Sequence, residues 1–148
     1  MSGPEAPAEL ADKAANATWA AAEIAKLNGE RVTTGRLFTA DGTSRKIGSS
    51  EAGREYQFAR YVIKQVSGGE RERYRTMAAA SSHVETKAAA GMTLDYIKYA
   101  VLVINNKRGV CLACRNAIPV VLRKGYRLIV WAPGDISPTV LDGEGEIA

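Results

Sequence analysis

Cysteine and histidine are nearly absent from this chain of 148 residues, which has two cysteines, Cys111 and Cys114, and one histidine, His83. A scaffold built on disulfides needs more cysteines at wider spacing, so that class of protein is excluded. No uninterrupted apolar run approaches the roughly 20 residues that cross a membrane. The first ten residues also lack the basic and then apolar order of a secretory signal. The sequence therefore predicts a chain with no export or anchoring element of its own and no membrane partner.

The rest of the composition is typical of a globular protein, with 46% hydrophobic and 24% charged residues. It excludes a collagen, a coiled coil and a fully disordered chain. The length fits one domain, and we predict a single domain over residues 1–148 with loose tails at 1–7 and 135–148. The net charge of +4 is uneven, because residues 44–75 carry eight basic and four acidic groups. Such a balance permits a nucleic-acid partner without requiring one.

The order of apolar and polar residues predicts an α/β fold. Asp41-Gly42 lies between two runs rich in strand-forming residues and indicates a hairpin. Residues 99–104 are almost wholly apolar, which is typical of a strand buried on both faces. Residues 70–75 are predicted to form an exposed charged loop. Together the elements predict an α/β/α sandwich with a mixed, partly parallel central sheet. The predicted helices are 8–27, 51–66, 82–94 and 110–123, and the predicted strands are 31–40, 44–48, 99–104 and 127–131.

The three rare residues form a pattern with one acid. Cys111 and Cys114 are spaced so that one helical turn places both sulfurs on the same side. At the start of a helix, the dipole favours their thiolate forms. With His83 they make three good Zn²⁺ ligands, and three ligands with one open position is the arrangement of catalytic zinc sites. Zinc lowers the pKa of water toward about 7, and Glu85 is near enough along the chain to move that water's proton.

The two segments that hold these residues read SSHVETKAAAGM and YAVLVINNKRGVCLACRNAIPVVL. They contain the H-x-E and C-x-x-C strings of zinc deaminases. The chain resembles the cytidine deaminase-like superfamily and, within it, the bacterial toxin branch that includes double-stranded DNA cytosine deaminases. The resemblance covers residues 81–134 and, loosely, 31–50. Val110 stands where the wider superfamily has proline, which argues against a housekeeping nucleoside or tRNA deaminase.

The resemblance implies a deaminase sandwich in which His83, Cys111 and Cys114 hold zinc. It implies that zinc-activated water attacks C4 of cytosine while Glu85 shuttles protons, so that uracil is formed. It also implies a monomeric toxin domain, released from a larger secreted delivery protein, that acts on single- or double-stranded DNA in the target-cell cytoplasm. A cognate immunity protein is the expected partner.

Substrate contacts are predicted at Ser82, Asn105, Tyr74 and Arg75, each with a simpler alternative. Ser82, like Ser81 before it, is a natural helix cap. Asn105 ends a strand, where turn formation alone explains an asparagine. The basic and aromatic stretch that contains Tyr74 and Arg75 is either a DNA-facing surface or a solvated helix face with aromatics in the core.

Other functions remain open at this level. The C-x-x-C string also suits a thioredoxin-like dithiol, although the expected strand-Trp-Cys context is missing and Glu85 would have no role. The same deamination chemistry could act on RNA, on free nucleosides or on adenine. A non-catalytic, zinc-stabilised binding module is a further alternative.

Trp131 is predicted to lie in the core, and Trp19 is either a second packing contact or a partner-facing anchor.

Overall fold

The computed structural model describes residues 4–146. Its five strands lie in the order β2-β1-β3-β4-β5. Strands β3 and β4 are parallel, and the other neighbouring pairs are antiparallel. The predicted mixed sheet and the predicted hairpin are therefore confirmed. The strands are β1 (Thr34–Thr39), β2 (Ser44–Gly48), β3 (Tyr99–Ile104), β4 (Arg127–Trp131) and β5 (Thr139–Asp142).

Helices cover both faces of the sheet, which confirms the predicted sandwich. All six residues of β3 are buried, because alternate side chains enter different cores. Leu102 packs on the side of the helices within residues 54–121, whereas Val101 packs on the side of the helices within residues 8–25. Within residues 4–146, no helix is long and apolar enough to cross a membrane. The helices are α1 (Ala8–Ala11), α2 (Ala17–Ala25), α3 (Arg54–Ser67), α4 (Arg71–Ala78), α5 (Val84–Asp95) and α6 (Leu112–Val121), and a 3₁₀ turn (Ala79–Ser82) precedes α5.

Two local predictions about helices were wrong. The helix expected over residues 8–27 is interrupted, since the Asn16 side chain accepts the Trp19 backbone N–H and begins a second helix. The loop expected over 70–75 is instead the first part of α4. Its charged residues are exposed, but Tyr74 and Met77 pack against the core. A helix with so narrow an apolar face gives little periodic signal.

The prediction of a loose tail over residues 135–148 is also wrong for much of that segment. Residues 139–142 form β5, which pairs with β4. Leu141 is buried, and Asp142 accepts a hydrogen bond from Arg127 Nε at 2.6 Å. Acids and glycines dominate this segment, so one inward leucine was too weak a signal for a strand.

The predicted N-terminal tail is partly beyond what the structure covers. Residues 1–3, and residues 147–148 at the other end, lie outside the described residues. Residues 4–7 have no regular structure, and the Pro7 carbonyl accepts the backbone N–H of Leu10 at the start of α1.

The two tryptophans both serve packing on the α1 and α2 side of the sheet. Trp131 is 1% exposed, as predicted, and its indole N–H donates to the Lys13 carbonyl at 2.9 Å. Trp19 is half-buried and meets the Phe38 ring edge-on, with 5.0 Å between centroids. The Lys13 ammonium lies 5.6 Å from the Trp19 ring. These contacts favour the packing interpretation of Trp19 over a partner-facing anchor.

A glycine in β1 lets α5 begin directly on the sheet. A Cβ atom at Gly35 would lie 2.7 Å from Val84 Cγ1 and 2.9 Å from the Val103 carbonyl oxygen. Because this oxygen is part of β3, it cannot move aside. We expect Gly35→Ala to displace the first turn of α5 and to lower the free energy of unfolding by about 1–3 kcal/mol. Urea denaturation measures this change.

Gly48→Ala is the matched control for this prediction. A Cβ atom there would meet only Val32 Cγ2, at 3.8 Å. We expect a change within about 0.5 kcal/mol. If both variants unfolded at the same urea concentration as the wild type, close packing at Gly35 would not be what places α5.

Candidate metal centre and active site

His83 lies immediately before α5 and is its N-cap residue, with extended backbone angles (φ −76°, ψ 147°). Its N–H donates to the Ala80 carbonyl at 2.9 Å, which closes the 3₁₀ turn. The prediction that Ser81 or Ser82 caps the helix was wrong, since the Ser82 hydroxyl turns back to the Ala79 carbonyl. The imidazole is therefore carried at the very beginning of α5.

The cysteines begin α6, as the sequence predicts. Cys111 is the N-cap residue, and its sulfur accepts the backbone N–H of Cys114 at 3.4 Å. Cys114 is fully buried and Cys111 is half-buried. Both sulfurs therefore lie at the N-terminal end of α6, within one helical turn of each other.

Strand β3 connects the two helices and brings their starts together. His83 Nδ1 lies 3.3 Å from Cys114 Sγ and 3.4 Å from Cys111 Sγ. One ligand atom from each residue lies within 4.8 Å of the others. Ligands at ordinary Zn–S and Zn–N distances are about 3.5 Å apart in a tetrahedral site. Two thiols and one imidazole at these separations fit a zinc ion in both donor type and spacing.

Glu85 lies in the first turn of α5, beside this His-Cys-Cys group, and is 2% exposed. Burial raises the pKa of the Glu85 carboxyl, and the contacts with His83 and with the Cys114 thiol only partly oppose that shift. A raised pKa brings proton exchange at a carboxyl closer to neutral pH, as a general acid–base group requires. The structure thus places a buried carboxyl beside His83 and Cys114, two of the three residues that could hold a metal ion.

The surroundings of the Cys114 thiol favour a cation beside it. Burial, together with the neighbouring Glu85 carboxyl, raises the pKa of the Cys114 thiol above its usual range. An anionic sulfur therefore needs a positive charge beside it, which a bound divalent ion provides. The hydroxyl of Thr86, buried beside this sulfur, favours the thiolate. Sequence reasoning missed Thr86, although it follows Glu85 directly in the chain.

Ser82 and Asn105, two of the four predicted substrate contacts, hold backbone in place. The Ser82 carbonyl accepts hydrogen bonds from the segment after β2. The Asn105 amide accepts the Thr34 N–H at 2.9 Å and donates to the Leu27 carbonyl at 3.3 Å. These bonds show a structural role at the end of β3. Contact of either residue with a base stays a prediction.

Tyr74 and Arg75 lie on α4, in the segment that was predicted to be a loop. Tyr74 is near Arg60 of α3, and this contact raises the pKa of the arginine. Arg75 is exposed and pairs with Glu72 at 3.4 Å. The partners of Tyr74 and Arg75, Arg60 and Glu72, lie on α3 and α4. Contact of Tyr74 or Arg75 with a substrate also stays a prediction.

The site has a basic rim that the sequence analysis did not single out. Lys107 and Arg108 are exposed in the turn before Cys111, and Arg115 is exposed directly after Cys114. The Arg115 Nε–H donates to the Val110 carbonyl at 3.3 Å, which holds its guanidinium beside this turn. Their closeness to the cysteines along the chain was the available signal. These three exposed cations place positive charge next to the cysteines.

An α/β/α sandwich that places a His-Cys-Cys group beside a buried glutamate defines the chain as a deaminase-like protein. The model of a family described as SCP1.201-like deaminase matches residues 5–147. The chain belongs to this family and is therefore an enzyme of hydrolytic deamination. Comparison with curated proteins gives no match. The thioredoxin-like alternative leaves both His83 and Glu85 unexplained.

Proposed function

We propose that this chain is a zinc-dependent DNA cytosine deaminase, which converts cytosine to uracil. The observation that carries the proposal is the buried Glu85 carboxyl against the three ligand atoms of His83, Cys111 and Cys114. Zinc held by these ligands would supply hydroxide at neutral pH and would withdraw electron density from the reacting centre. The arrangement matches the roles that the H-x-E and C-x-x-C strings have in zinc deaminases.

Glu85 handles the protons of the reaction. Its carboxylate takes a proton from the attacking water and gives it to N3 of cytosine, as a bond forms between the water oxygen and C4. The second water proton then goes to the exocyclic nitrogen, the C4–N4 bond breaks, and ammonia leaves. One water is consumed, and uracil remains. Because Glu85 is buried, bulk water does not compete for these protons.

Positive charge near the site supports a nucleic-acid substrate over a free nucleoside. Lys107, Arg108 and Arg115 border the cysteines, and cations at such an opening contact phosphates. On α3, the exposed Tyr61 shares a groove with Arg60, Lys64 and Tyr74. Cations interleaved with aromatic rings bind the backbone and the bases of a nucleic-acid strand. In duplex DNA the target cytosine must first be flipped out of the stack, at a cost of a few kcal/mol.

The biological setting follows from the resemblance to the toxin branch. We infer that the chain is a toxin domain that a larger secreted protein delivers, and that it acts as a monomer in the cytoplasm of the target cell. A cognate immunity protein would silence it. Acidic residues that cover the rim of Lys107, Arg108 and Arg115 would give that partner the matching charge.

The test is deamination of matched single- and double-stranded oligonucleotides that present cytosine in every flanking context. Zinc-loaded protein is incubated with each oligonucleotide, and the products are sequenced for C-to-T changes. We expect conversion of at least one DNA form, with a rate that falls as salt rises because phosphate contacts are screened. RNA, free cytidine and adenine-containing oligonucleotides serve as parallel substrates.

The outcomes separate the alternatives. Conversion of the duplex supports base flipping, and conversion of the single strand alone supports the chemistry without it. Turnover of RNA, nucleosides or adenine but not of DNA cytosine would overturn the substrate assignment. No turnover of any substrate by the zinc-loaded protein would favour the non-catalytic, zinc-stabilised module.

A further inference from the structure

A lysine is buried on α5, close to the metal centre but outside the proton chemistry. Lys87 is 8% exposed. Its ammonium donates to the Gly48 carbonyl and to Ser50 Oγ, both at 2.8 Å. Burial lowers the pKa of Lys87, and the Glu55 carboxylate opposes that shift. A charged group withdrawn from water is costly unless it is well hydrogen-bonded, so these two bonds fix the segment that carries Gly48 and Ser50.

This segment, residues 48–50, in turn holds the peptide group before His83. The Ser50 N–H donates to the Ser82 carbonyl at 3.1 Å, and the Ser49 hydroxyl donates to the same oxygen at 3.2 Å. The Ser82 carbonyl and the His83 nitrogen belong to one planar peptide group. Hydrogen bonds that hold the Ser82 carbonyl oxygen therefore also fix the plane of the Ser82–His83 peptide group.

The direction of the His83 side chain depends on that plane. His83 has extended backbone angles and precedes the first helical residue, so the helix alone does not set its orientation. Its ring nitrogen must reach two sulfurs that lie 28 and 31 residues further along the chain. The Lys87 N–H also donates to the His83 carbonyl at 2.9 Å. This backbone bond belongs to the first turn of α5 and would remain with any side chain at position 87, so the lysine ammonium acts on His83 only through residues 48–50.

We propose that Lys87 is a positioning residue of the metal centre, which aims the His83 imidazole at Cys111 and Cys114 by holding residues 48–50 against the Ser82 carbonyl. The inference rests on the metal site of the proposed function, and it does not depend on which base or nucleic acid is the substrate. Residues that orient metal ligands without touching the metal commonly lower metal affinity by 10–100-fold when they are replaced.

The experiment measures Zn²⁺ affinity of the full chain by competition with a chromophoric chelator. We expect Lys87→Met, which keeps an unbranched four-atom stem and removes the ammonium donors, to weaken Zn²⁺ binding by about 10-fold or more. The Co²⁺-loaded variant should also show altered visible absorption, because the imidazole no longer meets the metal in the same direction. A purely structural role would leave the spectrum of the folded fraction unchanged.

The control separates positioning from loss of stability. Thr93 is also buried on α5, and its hydroxyl donates to the Val121 carbonyl at 2.9 Å. It lies ten residues after His83, roughly 15 Å along the helix axis. We expect Thr93→Val to lower the melting temperature but to leave Zn²⁺ affinity within about twofold of the wild type.

A second variant serves if Lys87→Met does not fold. Ser49→Ala removes one hydrogen bond to the Ser82 carbonyl and leaves Lys87 in place, so we expect a smaller loss of about threefold in Zn²⁺ affinity. Wild-type affinity and an unchanged Co²⁺ spectrum in the folded variants would overturn the inference. A wild-type chain that binds zinc without deaminating DNA contradicts only the substrate assignment. A wild-type chain that binds no zinc contradicts both proposals.

Discussion

Glu85→Gln is expected to lower the turnover of a cytosine substrate by about 10²–10⁴-fold, while the chain stays folded and keeps its zinc. The replacement has nearly the same size and remains within the same buried space. A neutral amide cannot accept the proton of the attacking water, and general acid–base groups contribute about 10²–10⁴-fold. The measurements are the C-to-U rate on the oligonucleotide that the wild type converts best, the bound zinc and the melting temperature.

Glu55→Gln is the matched control, because Glu55 is a half-buried carboxylate that pairs with Arg54 on α3. We expect the turnover of Glu55→Gln to stay within about threefold of the wild type, since Glu55 is not part of the His-Cys-Cys group. Equal turnover in Glu85→Gln and the wild type would contradict the proposed role of Glu85. It would agree instead with a chain whose zinc has only a structural use.

Removal of zinc by a strong chelator is expected to abolish deamination and to lower the melting temperature together. A zinc ion bound by His83, Cys111 and Cys114 would link the start of α5 to the start of α6. A ligand present at 1,000 times its dissociation constant stabilises the folded state by about 4 kcal/mol. Calorimetry before and after chelation measures this loss, and readdition of Zn²⁺ should restore both properties.

Readdition of Mg²⁺ is the control for chelation, because a thiolate and imidazole site does not suit a hard cation that prefers oxygen ligands. Cys114→Ser should mimic chelation by weakening zinc binding. Full activity after complete removal of zinc, or recovery with Mg²⁺ alone, would contradict the assignment of the metal.

The residues of the candidate centre were accessible from the sequence because their chemistry is rare in this chain. One histidine and two cysteines leave few ways to build a metal site, and the spacing of Cys111 and Cys114 already places their sulfurs together. Strand β3 was equally clear, since a run that is apolar at every position fits a strand covered on both faces. The predicted sandwich followed from that strand and the helices around it.

Elements whose burial depends on residues far away in the chain could not be predicted from the sequence. Half of the residues of α4 are charged, and its inward residues, Tyr74 and Met77, are buried only when α4 packs against α3 and α6. Strand β5 has one buried leucine and depends on pairing with β4. The role of Lys87 was hidden for the same reason, because its acceptors lie 37 and 39 residues earlier in the chain.

The sequence by itself determined the chemistry that the chain carries: three side chains of two types, imidazole and thiol, that suit zinc, and one carboxyl beside them. The tertiary structure decided whether those groups meet, since α5, β3 and α6 must cross back on one another before His83 Nδ1 lies 3.3 Å from Cys114 Sγ. It also decided that Glu85 is buried with a raised pKa. Residue types fix the available reactions, whereas distance, burial and electrostatics arise only when segments far apart in the chain pack together.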